Sequence, residues 1–324
     1  VGSVATPASP VGTYPITVTG GSANNYNFTY VNGTLTVNKA MLTVTADNQS
    51  RLYGAANPTF TISYSGFVNG ENPTVITSAP LATTTATLAS NVGTYPITVS
   101  GGTADNYTFN YVSGTLTITK ATIVATAANA TRVYQTANPA FTINYTGFVN
   151  GEDLTVLNTL PVAGTTAILS SPVGTYPITV TGGDDNNYTF SYVSGTLTIT
   201  KATPVVTWSN PAAITFGTPL SSTQLNATAS VAGTFTYTPA LGTILNAGAN
   251  QTLTVNFSPS DAANYNPVNG VTVQITVNKA NPVITWANPS AITYGTALSA
   301  TQLNATANVP GSFVYTPATG TILN

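Results

Sequence analysis

The chain has 324 residues, of which only 4% are charged, with a formal net charge of −2, against roughly 25% charged residues in ordinary soluble proteins. Without clustered Lys and Arg there is no surface to neutralise phosphates or to steer a polyanion, so nucleic acid is excluded as a partner. The absence of His and Cys removes the usual general bases, activated nucleophiles and transition-metal ligands, and any disulfide framework.

No apolar run approaches the roughly 18 residues of a membrane span, so no membrane insertion is expected within this segment. Val, Ile, Thr, Tyr and Phe are abundant, which separates the chain from disordered sequences of similarly low charge. With 42% apolar residues, it is expected to fold.

From the N-terminus onward the chain repeats itself. GTYPITV begins at Gly12, Gly93 and Gly174, and all four lysines (Lys39, Lys120, Lys201 and Lys279) close stretches related to NYTFNYVSGTLTITK. Residues 40–120 and 121–201 align without gaps and agree at 52 of 81 positions. Residues 202–279 form a different unit, whose 45-residue opening returns from residue 280 with 33 identities. The expected domains are residues 1–39, the second half of a type A repeat; 40–120 and 121–201, complete type A repeats; 202–279, a type B repeat; and 280–324, the first half of another. This pattern reads as an excerpt of a longer array, expected to continue in both directions.

Within the A repeat, hydrophobic residues alternate with Thr or Ser at period two: Phe60, Ile62, Tyr64; Tyr95, Ile97, Val99; Leu116, Ile118. Such alternation predicts half-buried strands with threonines on the wet face. Turn signals such as VSG, SGG and NGE separate the runs. Two short stretches, residues 147–157 and 220–228, suggest a helical turn or two, capped by Asn150 and Ser222. The fold class predicted is all-β: tandem Ig-like β-sandwich domains forming an elongated rod, each about 40 Å long from strands of about seven residues. A β-grasp-like module is the alternative for type A, if the GFVNGE element crosses a sheet as a helix.

At residues 114–127, GTLTITKATIVATA, one strand runs into the next without a Gly or Pro linker. Leu116 and Ile118 share a face, while the next inward pair, Ile123 and Ala125, is out of phase by one, which turns side chains to the opposite face. Neighbouring domains are therefore expected to be joined stiffly and rotated by about a half-turn. Lys39, Lys120, Lys201 and Lys279 mark these interdomain junctions. The favoured reading of the lysine is a solvated strand-end charge that discourages edge pairing. The alternatives are an ion pair with Glu71 or Glu152, which also recur at 81 residues, and a self-formed Lys–Asn amide.

The acidic pairs Glu152-Asp153 and Asp184-Asp185 do not recur between copies, so no catalytic dyad and no enzyme is expected, and no cofactor. Asp184, Asp185 and Asn186 in GGDDNNY form a weak candidate calcium loop, because oxygen ligands need neither His nor Cys. The same loop in the first copy, GGSANNY, holds no acid. Tyr26, Tyr107 and Tyr188 fall on inward phases and are read as core residues rather than sugar-stacking platforms.

Tyr53-Gly54-Ala55, the stretch NPTFTISYSGFVNGE at residues 57–71, VGTYPITV from Val92, Asn106-Tyr107 and GTLTITKA from Gly114 together resemble the MBG domains (YGX type) of large bacterial surface proteins. In the next copy the YGX position reads Tyr134-Gln135-Thr136, which departs from the glycine of that pattern. Type B resembles a related bacterial Ig-like repeat through Phe216-Gly217-Thr218, Asn264-Tyr265 and ITVNKA at residues 275–280. The resemblance implies an extracellular, bacterial, adhesin-like setting and a structural stalk or fibre body. The partners it admits are other copies of the chain, glycans or a neighbouring cell surface, the last two if the repeats themselves carry binding sites.

Overall fold

The computed structural model describes all 324 residues. Its regular elements are β-strands and two single-turn 3-10 helices, with no α-helix, so no helix is long and apolar enough to cross a membrane. The chain divides into two compact units. One comprises Val1–Arg132, Ala137–Ile168 and Gly174–Thr198; the other comprises Val133–Thr136, Leu169–Val173 and Ile199–Asn324.

In the first unit, residues 40–119 build two facing sheets. One has Ala40–Ala46 at its centre, parallel to Tyr107–Val112 and antiparallel to Ile62–Ser65. The other runs Gln49–Leu52, Gly114–Thr119, Gly93–Ser100, Leu81–Thr84, with the first pair parallel and the others antiparallel. Val44 and Ala46 meet Ile97, Val99, Leu116 and Ile118 between them. Each fully buried Leu, Ile or Val contributes about 1.5–3 kcal/mol through removal of apolar surface from water. The alternating threonines stay on the outer faces, as period-two patterning requires.

The same arrangement recurs from Ala121: Ala121–Ala127 lies between Ile143–Thr146 and Tyr188–Val193, and the other sheet is ordered Ala130–Val133, Gly195–Thr200, Gly174–Thr181, Val162–Gly164. The N-terminal residues supply the antiparallel pair Gly12–Thr17 and Gly33–Val37.

The phase switch around the lysine is present. Gly114, Leu116 and Ile118 are buried on one side of Lys120, and Ala121, Ile123, Ala125 and Ala127 on the other. Inward positions thus change from even to odd numbers within three residues.

In the second unit, residues 202–279 form a four-stranded sheet around a long hairpin, Gly248–Pro259 with Val268–Asn278, flanked by Ile214–Thr215 and Gly233–Thr238. Leu220, Leu225, Leu253, Val273 and Ile275 form its core, with Trp208 and Tyr237 packed against them. Residues 280–324 repeat part of this, including the bond from Trp286 Nε1 to the Gln302 carbonyl at 3.0 Å, which matches Trp208 to Gln224 at 3.0 Å.

Both helical expectations need correction. Asn150 has a left-handed backbone, φ +56°, and is followed by Gly151 at +76°, so it sits in a tight Asn-Gly turn that both residues favour. The 3-10 turn comes later, Leu154–Val156, capped by Asp153. Its counterpart at Pro73–Val75 is equally short, so GFVNGE supplies no helix to cross a sheet and the β-grasp alternative loses its basis. In the B repeat, Ser221 rather than Ser222 closes the turn, accepting from Thr223 N–H at 3.2 Å through Oγ. Tyr107 and Tyr188 are core residues, but Tyr26 is 77% exposed, because residues 1–39 hold no GFVNGE segment for it to pack against.

Candidate functional site

The constellation that recurs most faithfully lies where one repeat hands over to the next. Lys120 Nζ donates to the Asp185 carbonyl at 2.6 Å, Lys39 to Ala104 at 2.8 Å and Lys201 to Ala262 at 2.6 Å. The acceptor is each time a main-chain oxygen in the loop before an Asn-Tyr pair. The lysine therefore remains a surface charge but holds the loop of the following repeat, and its partner is not Glu71 or Glu152.

The Asn of that pair closes the contact from the other side. Asn106, Asn187 and Asn264 accept, through Oδ1, the backbone N–H of Val11, Val92 and Val173 at 3.0, 3.0 and 2.8 Å. Their carbonyls accept the N–H of Ala40, Ala121 and Ala202 at 2.9, 3.0 and 3.0 Å. Each bond of this kind contributes about 1 kcal/mol net, more where one partner is charged.

A tyrosine cluster fills the centre of the junction at Lys120. Val149, Asn150, Gly151 and Glu152 form a turn with positive φ at both central residues, closed by Glu152 N–H to the Val149 carbonyl at 3.0 Å. Tyr188 Oη accepts the Val149 N–H at 3.0 Å and donates to Glu152 Oε2 at 2.5 Å. Tyr53, contributed by the preceding repeat, donates to Glu152 Oε1 at 2.6 Å. The two rings meet edge to face with centroids 5.5 Å apart, a favourable quadrupole geometry.

One carboxylate thus takes two buried phenols, which are 4% and 1% exposed. Burial, reinforced by the bond to Glu152, pushes the Tyr188 hydroxyl up to about 12 and raises that of Tyr53. Gly54, next to Tyr53, has φ +73°, and a Cβ there would lie 2.3 Å from Val149 Cγ2. Both backbone conformation and space therefore require glycine.

This turn carries the Tyr-Gly-X signature, and the family model of the MBG domain (YGX type) matches residues 1–36, 42–117 and 123–198. The chain belongs to the MBG (YGX-type) domain family. Tyr53, the signature tyrosine of residues 40–120, reaches from the edge of its own core into the glutamate turn of the module that follows. No curated protein matches the chain. Among solved structures it is similar to a crystal structure titled "Crystal structure of Drosophila N-cadherin EC1-4", at 12% identity over 83% of each chain with a TM-score of 0.24, a likeness too distant to bear on the modules' own geometry.

At Lys201 an MBG module meets a type B repeat, which has no glutamate turn. Tyr134 still packs edge to face on Tyr265, with centroids 5.4 Å apart. Gln135 keeps the left-handed conformation, φ +63°, so the backbone shape survives without glycine. Gln135 is exposed.

The arginines brace loops within each module. Arg51 donates to Asn57 Oδ1 at 2.7 Å and to the Thr87 carbonyl at 2.5 Å; Arg132 donates to Asn138 Oδ1 at 2.7 Å and to the Ile168 carbonyl at 2.6 Å.

The candidate calcium loop is organised around backbone. Asp185 Oδ1 accepts the N–H groups of Asn187 and Tyr188 at 2.7 and 3.0 Å. Asp184 bridges Thr159 through its own N–H and carbonyl. No three acidic side chains of the chain gather as metal ligands would. Sequence reasoning named the lysines but missed Tyr53, Glu152 and Asn187 as partners across one junction. The signal available was their shared 81-residue recurrence, together with the loss of the glutamate in type B.

Proposed function

We propose that this segment is a structural spacer, the stalk or fibre body of an extracellular bacterial surface protein, in which MBG modules are mechanically coupled rather than catalytic. The observation that carries this reading is the recurrent junction. Lysine to carbonyl and asparagine to amide tie each of these modules to the next, and at Lys120 a tyrosine–glutamate bond is added. Of those groups only the lysine and the glutamate bear formal charge, so the coupling is insensitive to the ionic conditions outside a cell.

The test is mechanical unfolding of the full chain held at its ends. The two complete MBG modules should open as separate events, each releasing 81 residues, about 280 Å of extended chain, and deletion of residues 121–201 should remove one event. Unfolding without discrete events would overturn the reading. So would saturable binding of the intact chain to a glycan array with avidity that falls as modules are deleted, the signature of repeats that themselves carry binding sites.

A further inference from the structure

The pairing of first and last strands decides how a module meets tension. In residues 40–119 the first strand, Ala40–Ala46, runs parallel to Tyr107–Val112 and is paired at six consecutive positions, from Ala40 with Tyr107 to Thr45 with Val112. The second, Gln49–Leu52, runs parallel to the last, Gly114–Thr119, and is paired at four, from Gln49 with Leu116 to Leu52 with Thr119. Both sets keep one register, although they belong to different sheets. Asn48 carries that register across the gap, accepting the Thr115 N–H, 67 residues on, through Oδ1 at 2.8 Å. Ala40 N–H to the Asn106 carbonyl at 2.9 Å and Tyr53 N–H to the Thr119 carbonyl at 2.8 Å close the two ends. The next copy repeats the six pairs, from Ala121 with Tyr188 to Thr126 with Val193, and the bridge, with Asn129 accepting the Thr196 N–H at 2.8 Å.

Tension along the chain pulls Ala40 toward the N-terminus and Thr119 toward the C-terminus. Because the paired strands are parallel, these forces act in opposite directions along a common axis. The ladder, whose bonds lie across the strands, is loaded in shear, and its bonds must fail together. A ladder opened from one end fails one bond at a time.

The type B repeat lacks most of this ladder. Ala202 pairs in parallel with Tyr265, and Ile214–Thr215 with Val277–Asn278; Asn210 Oδ1 still accepts the Gln274 N–H at 2.9 Å. Between these points the chain turns to another partner, Val206–Thr207 pairing with Thr228–Ala229. Pro204 and Pro267, each two residues beyond the Ala202–Tyr265 pair, lack the N–H that a ladder needs.

We propose that the parallel ladder between the first and last strands of each MBG module is a shear clamp, and that the interrupted ladder of residues 202–279 makes the type B repeat the element that yields first under tension. The force transmitted along the chain is then limited by the weaker repeat, which extends while the MBG modules stay folded. This rests on the reading of the segment as a spacer that bears load between its ends.

The chain has no Cys, so pairs of introduced cysteines define where force is applied to the full chain. Met41→Cys with Thr119→Cys loads the MBG ladder in shear. Met41→Cys with Thr108→Cys, which are register partners, unzips it from one end. Thr203→Cys with Asn278→Cys shears the type B repeat, and all five positions are exposed. At one constant force the sheared MBG module should survive at least about tenfold longer than the unzipped one, and at least about tenfold longer than the sheared type B repeat. Asn48→Ala should shorten the lifetime in shear by about fivefold, the equivalent of one hydrogen bond, and leave the lifetime in unzipping unchanged. Equal lifetimes in the two directions, a type B repeat that outlasts the MBG module, or an Asn48→Ala variant as durable in shear as its parent would overturn the proposal. Each of these results would leave discrete unfolding events, and with them the reading as a spacer, intact.

Discussion

The junctions at Lys120 and Lys201 share a frame but differ at the centre. Both have the lysine bond at 2.6 Å, an asparagine accepting from a valine amide, and an edge-to-face tyrosine pair. Only the first has a glutamate between the rings, and only there is the glycine of the YGX turn confined by a neighbour, Val149. Polar main-chain contacts are thus the general device for joining repeats. The shared carboxylate, half-buried at Glu152, is an addition found where both partners are MBG modules. A buried hydroxyl is costly when left unmatched, so Tyr53 and Tyr188 depend on the glutamate, and a type B repeat that lacks the glutamate can still be joined.

The largest contrast should come from truncating the rings. Tyr53→Ala should cost about 3–5 kcal/mol, as expected for a buried aromatic side chain, and Tyr134→Ala clearly less, since Tyr134 and Tyr265 are only half-buried; hydrogen exchange resolved by module measures both.

Glu152→Ala should cost about 2–3 kcal/mol by leaving two buried hydroxyls without an acceptor. Gly54→Ala should cost about 2 kcal/mol through its positive φ and the contact with Val149. Gln135→Gly, at the equivalent position of the other junction, should instead stabilise by about 1 kcal/mol by relieving a left-handed non-glycine residue. Equal signs for those two substitutions would break the comparison.

Alkali should also act on the first junction. The Tyr188 hydroxyl is raised from 10.0 to about 12 by burial and by Glu152. Its stabilising contribution is therefore complete below pH 10 and lost as pH rises through about 12. A pH series of exchange rates around Tyr188 would show the loss.

The smallest effects should be alike at both junctions. Lys120→Ala and Lys201→Ala should each cost about 1 kcal/mol, and raising salt from about 0.05 to 0.5 M should leave the melting temperature nearly unchanged, because exposed pairs contribute little.

Much of the architecture was legible because it rests on patterns that a single sequence carries. Period-two alternation placed Ile97, Val99, Leu116 and Ile118 on one buried face, and the slip at Lys120 was visible in the spacing from Ile118 to Ile123. The lysines were legible as markers, but not their acceptors, since a main-chain carbonyl in a loop 65 residues away leaves no trace in side-chain chemistry. Glu152 was offered only as an alternative partner for the lysine, because opposite charges suggest pairing. The structure places it elsewhere: two buried phenols satisfy the carboxylate without bringing a second charge into the junction. Asn150 was read as a helix cap because Asn serves both purposes, and the following glycine decided for the left-handed turn.

The most direct test compares Tyr53→Phe with Tyr134→Phe in the same chain by native-state hydrogen exchange, since each substitution removes one hydroxyl and keeps the ring. A loss of about 1.5–2 kcal/mol around Tyr53, with no measurable loss around Tyr134, is the predicted result. Equal losses at the two positions, or none at Tyr53, would contradict the claim that the tyrosine–glutamate bond fastens one MBG module to the next.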